Sequence, residues 1–253
     1  MDQPILLRHD TGAIATLTLN APDSFNALSD AMLAALSAES ARLAADATVK
    51  VVVLKAEGRA FCAGHDLKEM QAGRTAPDAG AAYFQSLFAR CGAVMMGLQA
   101  LPQPVIAQVH AIATAAGCQL VASCDLVVAA SGVRFGVNGV NIGLFCSTPM
   151  VALSRKVPPA VAFEMLTTGE FILAERAREV GLVNRVVPPE ALEAETRALA
   201  AVRVGKRAFY EQLDLDTAAA YAHAGAVMVE NMLFRDTNEG ISAFLQKRKP
   251  DWG

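Results

Sequence analysis

Two stretches of the chain gather small residues immediately before a helix start. The first runs from Ala60 to Met70 and holds Phe61, Cys62, Ala63, Gly64, His65, Asp66, Leu67 and Lys68. The second runs from Ile112 to Leu120 and holds Ala115, Ala116, Gly117, Cys118 and Gln119. Glycine or alanine at a helix N-terminus lets a ligand come close to free backbone N–H groups. Two such turns facing one pocket would supply two donors to one developing oxyanion, often the largest single contribution to catalysis. The same composition also suits tight helix–strand packing, and the residues alone leave both readings open.

The side chains around these turns offer little acid–base chemistry. His65 and Asp66 lie in the first turn, where Asp66 also suits an N-cap of the following helix. Glu69 lies one helical turn further on, able to reach a pocket or to sit on a solvated face. Gln119 is an amide and takes no proton near neutral pH. Asn138 and Asn141 flank Gly139, placed either to orient a water or to shape a loop. Cys118 reads as a small packing residue. Cys146 and Ser147 fall on a turn able to line a pocket. His9, His110 and His223 show no partner pattern, and Lys247-Arg248-Lys249 by itself is a solvated tail.

The elements that must hold these groups are readable from pattern. Ile5 to Asn20 reads as a hairpin turning at Asp10-Thr11-Gly12, and Ser29 or Asp30 caps a helix carrying Leu28, Met32, Leu36 and Leu43. Val51–Leu54 is an apolar β-branched run suited to a strand buried on both faces. Phe61–Gly64 reads as a tight turn into a helix from Asp66. Gly80–Leu101 is helical and ends at Pro102 and Pro104. Pro104–Val109 is a strand, Ala111–Gly117 a small-residue stretch, and a helix follows through Cys124. Leu126–Ala129 is another strand. Beyond Pro149 the chain is mostly helical, with strand character at Val183–Val187. Strands separated by helices predict an α/β core with a helical C-terminal region.

Bulk properties narrow the function. The chain has 253 residues, 53% of them hydrophobic, and a net charge of −3. That excludes disorder and gives none of the clustered basic surface that nucleic-acid binding requires. Five cysteines without metal-ligand spacing predict reduced thiols, no metal and a cytoplasmic setting. No apolar run reaches the roughly 18 residues of a membrane span, so no membrane partner is expected.

Several motifs, in order, resemble the crotonase (enoyl-CoA hydratase/isomerase) superfamily. They are Phe25-Asn26-Ala27-Leu28, Phe61–Leu67, Pro104–His110 followed by Ala115–Leu120, Cys124-Asp125 and Phe135-Gly136. Leu166–Gly169, Leu182–Pro188 and Phe244–Pro250 continue the match over essentially the whole chain. Thr114–Asp125 with Gly143–Pro149 most resembles one subgroup of that family. The resemblance implies a spiral of ββα units over residues 1–190 and a helical oligomerisation region over 191–253. It implies a homotrimer or dimer of trimers. It also implies an acyl-CoA substrate, so that coenzyme A enters as part of the substrate and no separate cofactor is needed. On it, the N–H groups of His65 and Ala116 grip the thioester carbonyl. Asn26, Ala27, Ala63, Gly64, Asp66, Leu67 and Lys68 lie along the CoA moiety. Phe244 and Lys247 reach CoA from the C-terminal region of the same or a neighbouring subunit.

The chain departs from the family where proton transfer is done. Gln119 and Gly139 stand at the positions of the two glutamates that hydratases use, and neither titrates. Each positioned acid or base is typically worth about 10²–10⁴-fold, so Asn141 or His65 would have to substitute for ordinary hydration. The expected function is an enoyl-CoA hydratase-like lyase that stabilises a thioester enolate. Decarboxylation, isomerisation or thioester hydrolysis on the same scaffold are alternatives, and a non-catalytic acyl-CoA-binding protein is the alternative of another class. A serine peptidase is rejected for want of a Ser/His/Asp constellation.

Overall fold

The computed structural model describes residues 3–199 and 206–251. The chain opens with the expected hairpin, β1 (Leu6–Thr11) antiparallel to β2 (Ile14–Leu19). A 3-10 turn at Pro22–Ser24 leads into Phe25 and Asn26, both left-handed, with φ of 54° and 53°. α1 (Asp30–Ala45) follows, its first turn capped by Ser29, whose hydroxyl accepts from the Met32 N–H at 3.2 Å. Met32, Leu33, Leu36 and Leu43 recur at helical spacing and are buried beneath it.

Three rounds of one plan come next. The first comprises β3 (Val51–Ala56), β4 (Ala60–Cys62), α2 (Leu67–Gly73) and α3 (Ala81–Ala100). The second comprises β5 (Val105–Val109), β6 (Ile112–Thr114) and α4 (Ala116–Ala122). The third comprises β7 (Leu126–Ala130), β8 (Arg134–Gly136), a 3-10 turn at Asn138–Ile142, α5 (Ser147–Lys156) and α6 (Pro159–Thr168). Each round gives its first strand to a large sheet and its second to a small one. The large sheet runs β1-β2-β3-β5-β7 and is parallel from β2 onward; the small one holds β4-β6-β8. A strand, a sharp step into the second layer and a helix back make one turn of a spiral.

The last part of this unit closes both sheets. β9 (Ile172–Leu173) adds antiparallel to β8, α7 (Ala174–Glu179) follows, and β10 (Arg185–Val187) adds parallel to β7. α8 (Leu192–Leu199) then packs on β5 and β7 through buried Leu192 and Thr196. Val51–Leu54, Val105–Ala107 and Val127–Ala130 are buried throughout, as strands covered on both faces must be.

The chain divides into two compact units, Met1–Arg203 and Val204–Gly253. The expected boundary after residue 190 therefore falls within the first unit, because α8 has its apolar side committed to the large sheet. The second unit holds α9 (Lys206–Leu213), α10 (Thr217–Met232) and α11 (Arg235–Leu245). No described helix is long and apolar enough to cross a membrane.

Candidate active site

The small sheet brings the two small-residue turns together. β4 and β6 are parallel neighbours, with Ala60 opposite Ile112 and Cys62 opposite Ala113 across a bulge. The turns leave the C-terminal ends of these strands side by side. A Cβ added to Gly64 would lie 2.9 Å from the Ala115 Cβ and 3.3 Å from the Ala116 nitrogen. One added to Gly117 would lie 2.1 Å from the Cys62 carbonyl oxygen. Glycine is required at both places for the backbones to approach this closely.

Each turn is pinned from its far side. The Leu28 N–H donates to the Gly64 carbonyl at 2.7 Å and the Ala63 N–H to the Phe25 carbonyl at 3.1 Å. Ala115, at φ 50° and ψ −123°, donates its N–H to the Gly136 carbonyl of β8 at 2.9 Å. That conformation is uncommon for a residue with a Cβ and needs surrounding structure to hold it. It sets Ala116 as the first residue of α4. The N–H groups of His65 and Ala116 have no acceptor among the described residues, so two donors are left free where the turns meet.

α3 forms the wall opposite. The His65 ring meets Phe88 edge-on at 5.6 Å, and Phe84 stacks on Phe88 at 6.4 Å. One turn beyond Phe88, the Cys91 thiol points at the Gln119 side-chain oxygen at 4.0 Å. Both imidazole nitrogens of His65 are buried without a hydrogen-bond partner, as is the Tyr83 hydroxyl. Burial pushes the His65 imidazole below its ordinary pKa and Arg90 adds to this, while the nearby Leu28 carbonyl and Asp30 oppose it in part. His65 is therefore a neutral base at pH 7. Asp30 and Arg90 are paired at 2.8 Å. Gln119 is 4% exposed, and its side-chain nitrogen has no partner among the described residues.

The five cysteines are all free and buried. Desolvation holds Cys62 and Cys118 up at about 12 and Cys91 at about 11. These thiols stay protonated and supply no nucleophile, which agrees with Cys118 as a packing residue.

Other residues expected at the site divide into several groups. Asp66 caps α2, accepting from the Lys68 N–H at 2.8 Å and the Glu69 N–H at 3.3 Å. Glu69 accepts from the Asp30 N–H at 2.8 Å and so helps to start α1 instead of facing solvent. Leu67 and Lys68 are exposed on α2, Ala63 is half-buried and Ala27 is buried.

Asn26 departs from expectation. It is fully buried, donates to the carbonyls of Glu57 and Ala60 at 2.7 and 2.8 Å, and accepts from the Ala21 N–H at 2.8 Å. Its carboxamide is spent on the fold and has nothing left for a ligand.

Gly139 has no room for a side chain. A Cβ there would lie 2.3 Å from the Leu144 carbonyl oxygen and 2.7 Å from the Cys146 sulfur. The Gly143–Cys146 turn fills the space any side chain would need. Asn141 is exposed, with its side-chain oxygen 2.8 Å from where a Cβ on Gly169 would sit. It is directed at the end of α6. Asn138 accepts from the Thr114 hydroxyl at 2.5 Å and ties β6 to the 3-10 turn. Phe244 and Lys247 lie at the end of α11 in the second unit, Phe244 being 82% exposed.

Sequence reasoning missed Tyr83, Phe84, Phe88 and Cys91, whose helical spacing marks one face of α3 but reads equally as core. Two cavities lie elsewhere. One of about 600 Å³ is lined by α9 and α10, and one of about 270 Å³ lies between the hairpin side of the large sheet and α8.

Comparison with known proteins places this geometry. The chain matches the enoyl-CoA hydratase/isomerase family over residues 9–253. A mouse protein named enoyl-CoA hydratase domain-containing protein 3, mitochondrial, is 47% identical over 94% of this chain and 81% of its own length. A solved enoyl-CoA hydratase of Mycobacterium smegmatis superposes with a TM-score of 0.92 at 55% identity, covering 99% of both chains. The solved human enoyl-CoA hydratase domain-containing protein 3 superposes at 0.90 with 44% identity, over 99% of this chain and 100% of its own. The fold is the crotonase fold, and the domain-containing protein 3 subgroup is the one its motifs resemble. The expected cytoplasmic setting does not stand, because the mouse relative is named mitochondrial; cysteines without signal-like flanks do not distinguish one reducing compartment from another. The match along nearly the whole chain, on a fold shared at high superposition, shows that this protein belongs to the enoyl-CoA hydratase/isomerase family.

Proposed function

We propose that the protein is an acyl-CoA lyase of the enoyl-CoA hydratase type, in which the N–H groups of His65 and Ala116 hold the thioester oxygen as it becomes an enolate. The observation that carries this reading is the pair of N–H groups without acceptors on adjoining turns. Donors fixed beforehand cost no reorganisation as charge develops. CoA runs past Ala63, Gly64, Leu67 and Lys68, with Lys68 near its phosphates. Neither Asn26 nor Asn141 takes part through its side chain.

Binding of 2,4-hexadienoyl-CoA tests the reading. Two donors on the carbonyl polarise the conjugated thioester and shift its absorbance to the red; an unshifted spectrum on saturation would show that the N–H pair does not hold it. Turnover of crotonyl-CoA and of β-hydroxybutyryl-CoA then reads the lyase reaction in both directions.

Decarboxylation is the second reading, favoured by the packed Gly139 and the uncharged Gln119. Loss of carbon dioxide from a malonyl-type thioester makes the enolate without a protein base. Carbon dioxide release from methylmalonyl-CoA with no hydration of crotonyl-CoA would select it. Free thiol release would select thioester hydrolysis, migration of a double bond would select isomerisation, and an unchanged tight complex would select binding alone.

The second unit supports self-association. Phe209, Leu213, Tyr221 and Met228 are exposed on its helices and Leu233 and Phe234 in the turn between α10 and α11, a concentration of apolar surface that a lone soluble chain rarely shows. A trimer, or two trimers paired, is the assembly this reading expects.

A further inference from the structure

We propose that the His65 imidazole is the proton carrier of this enzyme, working beside the Gln119 carboxamide on a water held between them. The inference rests on the acyl-CoA reading above and deepens it.

His65 is tied to the reaction centre by its own backbone. Its N–H is one of the two donors left free where the turns meet, so its side chain branches off one atom from the group that holds the thioester oxygen. Both ring nitrogens are buried with no well-formed hydrogen bond among the described residues, although the Leu28 carbonyl lies close to the ring. A buried imidazole so poorly paired is costly and calls for a functional explanation. α3 sets the ring and Gln119 on one wall, since Phe88 touches His65 and Cys91, three residues on, points at the Gln119 oxygen. Three residues rise about 4.5 Å along a helix, so the groups that Phe88 and Cys91 touch lie along neighbouring stretches of one wall.

The neighbouring titratable groups are each engaged among the described residues or kept protonated by burial. On α1 and α3, Asp30 and Arg90 neutralise each other at 2.8 Å. On α2, Glu69 is engaged by the Asp30 N–H and Asp66 by its own helix. Tyr83 on α3 has its hydroxyl buried and its ionisation pushed up by burial and by Asp30. Cys91 is held protonated by desolvation. The imidazole, kept neutral, is the group able to accept a proton at pH 7.

The step balances with one residue. The water oxygen forms its bond to the β-carbon while an imidazole nitrogen takes the water proton. The π pair of the double bond moves toward the thioester, whose oxygen carries the negative charge at the two N–H groups. The imidazolium then gives its proton to the α-carbon, the pair returns to make that C–H bond, and the imidazole ends neutral. Water has been added and nothing is oxidised or reduced.

The test measures three things in the wild type and in His65→Phe and His65→Asn: the hexadienoyl-CoA red shift, crotonyl-CoA hydration, and exchange of the butyryl-CoA α-hydrogens in deuterated water. Both variants keep the backbone N–H, and Phe fills the place beside Phe88. The expected result is a red shift retained in all three proteins, with hydration and exchange lowered about 100-fold or more in the variants. Wild-type turnover is expected to fall on the acid side below the ordinary imidazole range, a limb missing from the variants' residual rate. His65→Ala is expected to regain exchange when imidazole is added. Variants that hydrate and exchange within about threefold of wild type, well short of a general base's contribution, would overturn the proposal. So would a wild type that shows the red shift without either reaction, in which case the acyl-CoA reading survives alone. A wild type without the red shift removes both.

Discussion

Gln119 and Gly139, which the family resemblance sets at the positions of a hydratase's two glutamates, are expected to respond differently to a glutamate. Gln119→Glu is nearly isosteric and puts an acid beside Cys91 and the free N–H pair. It is expected to raise crotonyl-CoA hydration by about 10-fold or more, within the range of a positioned base, measured as loss of enoyl-thioester absorbance. Gly139→Glu is expected to lower the melting temperature without adding activity, because its Cβ meets the Leu144 carbonyl at 2.3 Å. Asn26→Ala leaves two carbonyls and one N–H without their partner. At about 1–3 kcal/mol for each buried group left unsatisfied, a loss of about 3 kcal/mol or more is expected by urea titration. The role of Asn26 was invisible in the sequence because its acceptors lie 31 and 34 residues away. His65 also imposes a pH dependence. Its folded pKa is below the unfolded value of 6.5, so the unfolded chain binds the proton first as pH falls. Stability is full above pH 6.5 and declines below it, and His65→Phe should flatten that decline in melts between pH 7 and 5.

The elements show where sequence patterns suffice. The hairpin, α1, β3, α3, β5 and β7 follow their patterns within a few residues, since each is long enough to express a period. The small sheet was not legible. β4, β6 and β8 have three residues each and β9 two, too short for an alternation; β4 and β6 read as a turn and a small-residue stretch, β8 carries no pattern of its own, and β9 falls in the stretch read as mostly helical. Their job is register: β4 beside β6 puts Gly64 against Ala116, which no local pattern encodes. Gly117→Ala tests this arrangement, because its Cβ would meet the Cys62 carbonyl at 2.1 Å and push the turns apart. It is expected to abolish the hexadienoyl-CoA red shift while leaving the helical circular dichroism near native. Retention of the full shift would mean that the turns need not be in contact.

For the whole molecule, the family resemblance carried the crotonase fold and the family membership, while the cysteine pattern misplaced the compartment. The exposed apolar faces of α9, α10 and α11 bear on assembly. The native chain is expected to sediment as a trimer or hexamer at micromolar concentration, and Tyr221→Glu with Met228→Glu to shift it toward monomer. The burial of the thiols has a use of its own. All five cysteines lie in the first unit, and the second has none. A maleimide added to the native protein therefore reacts only as fast as the spiral opens, whatever the C-terminal helices do. The chain carries a built-in clock for the opening of its catalytic unit, one that a bound acyl-CoA would slow.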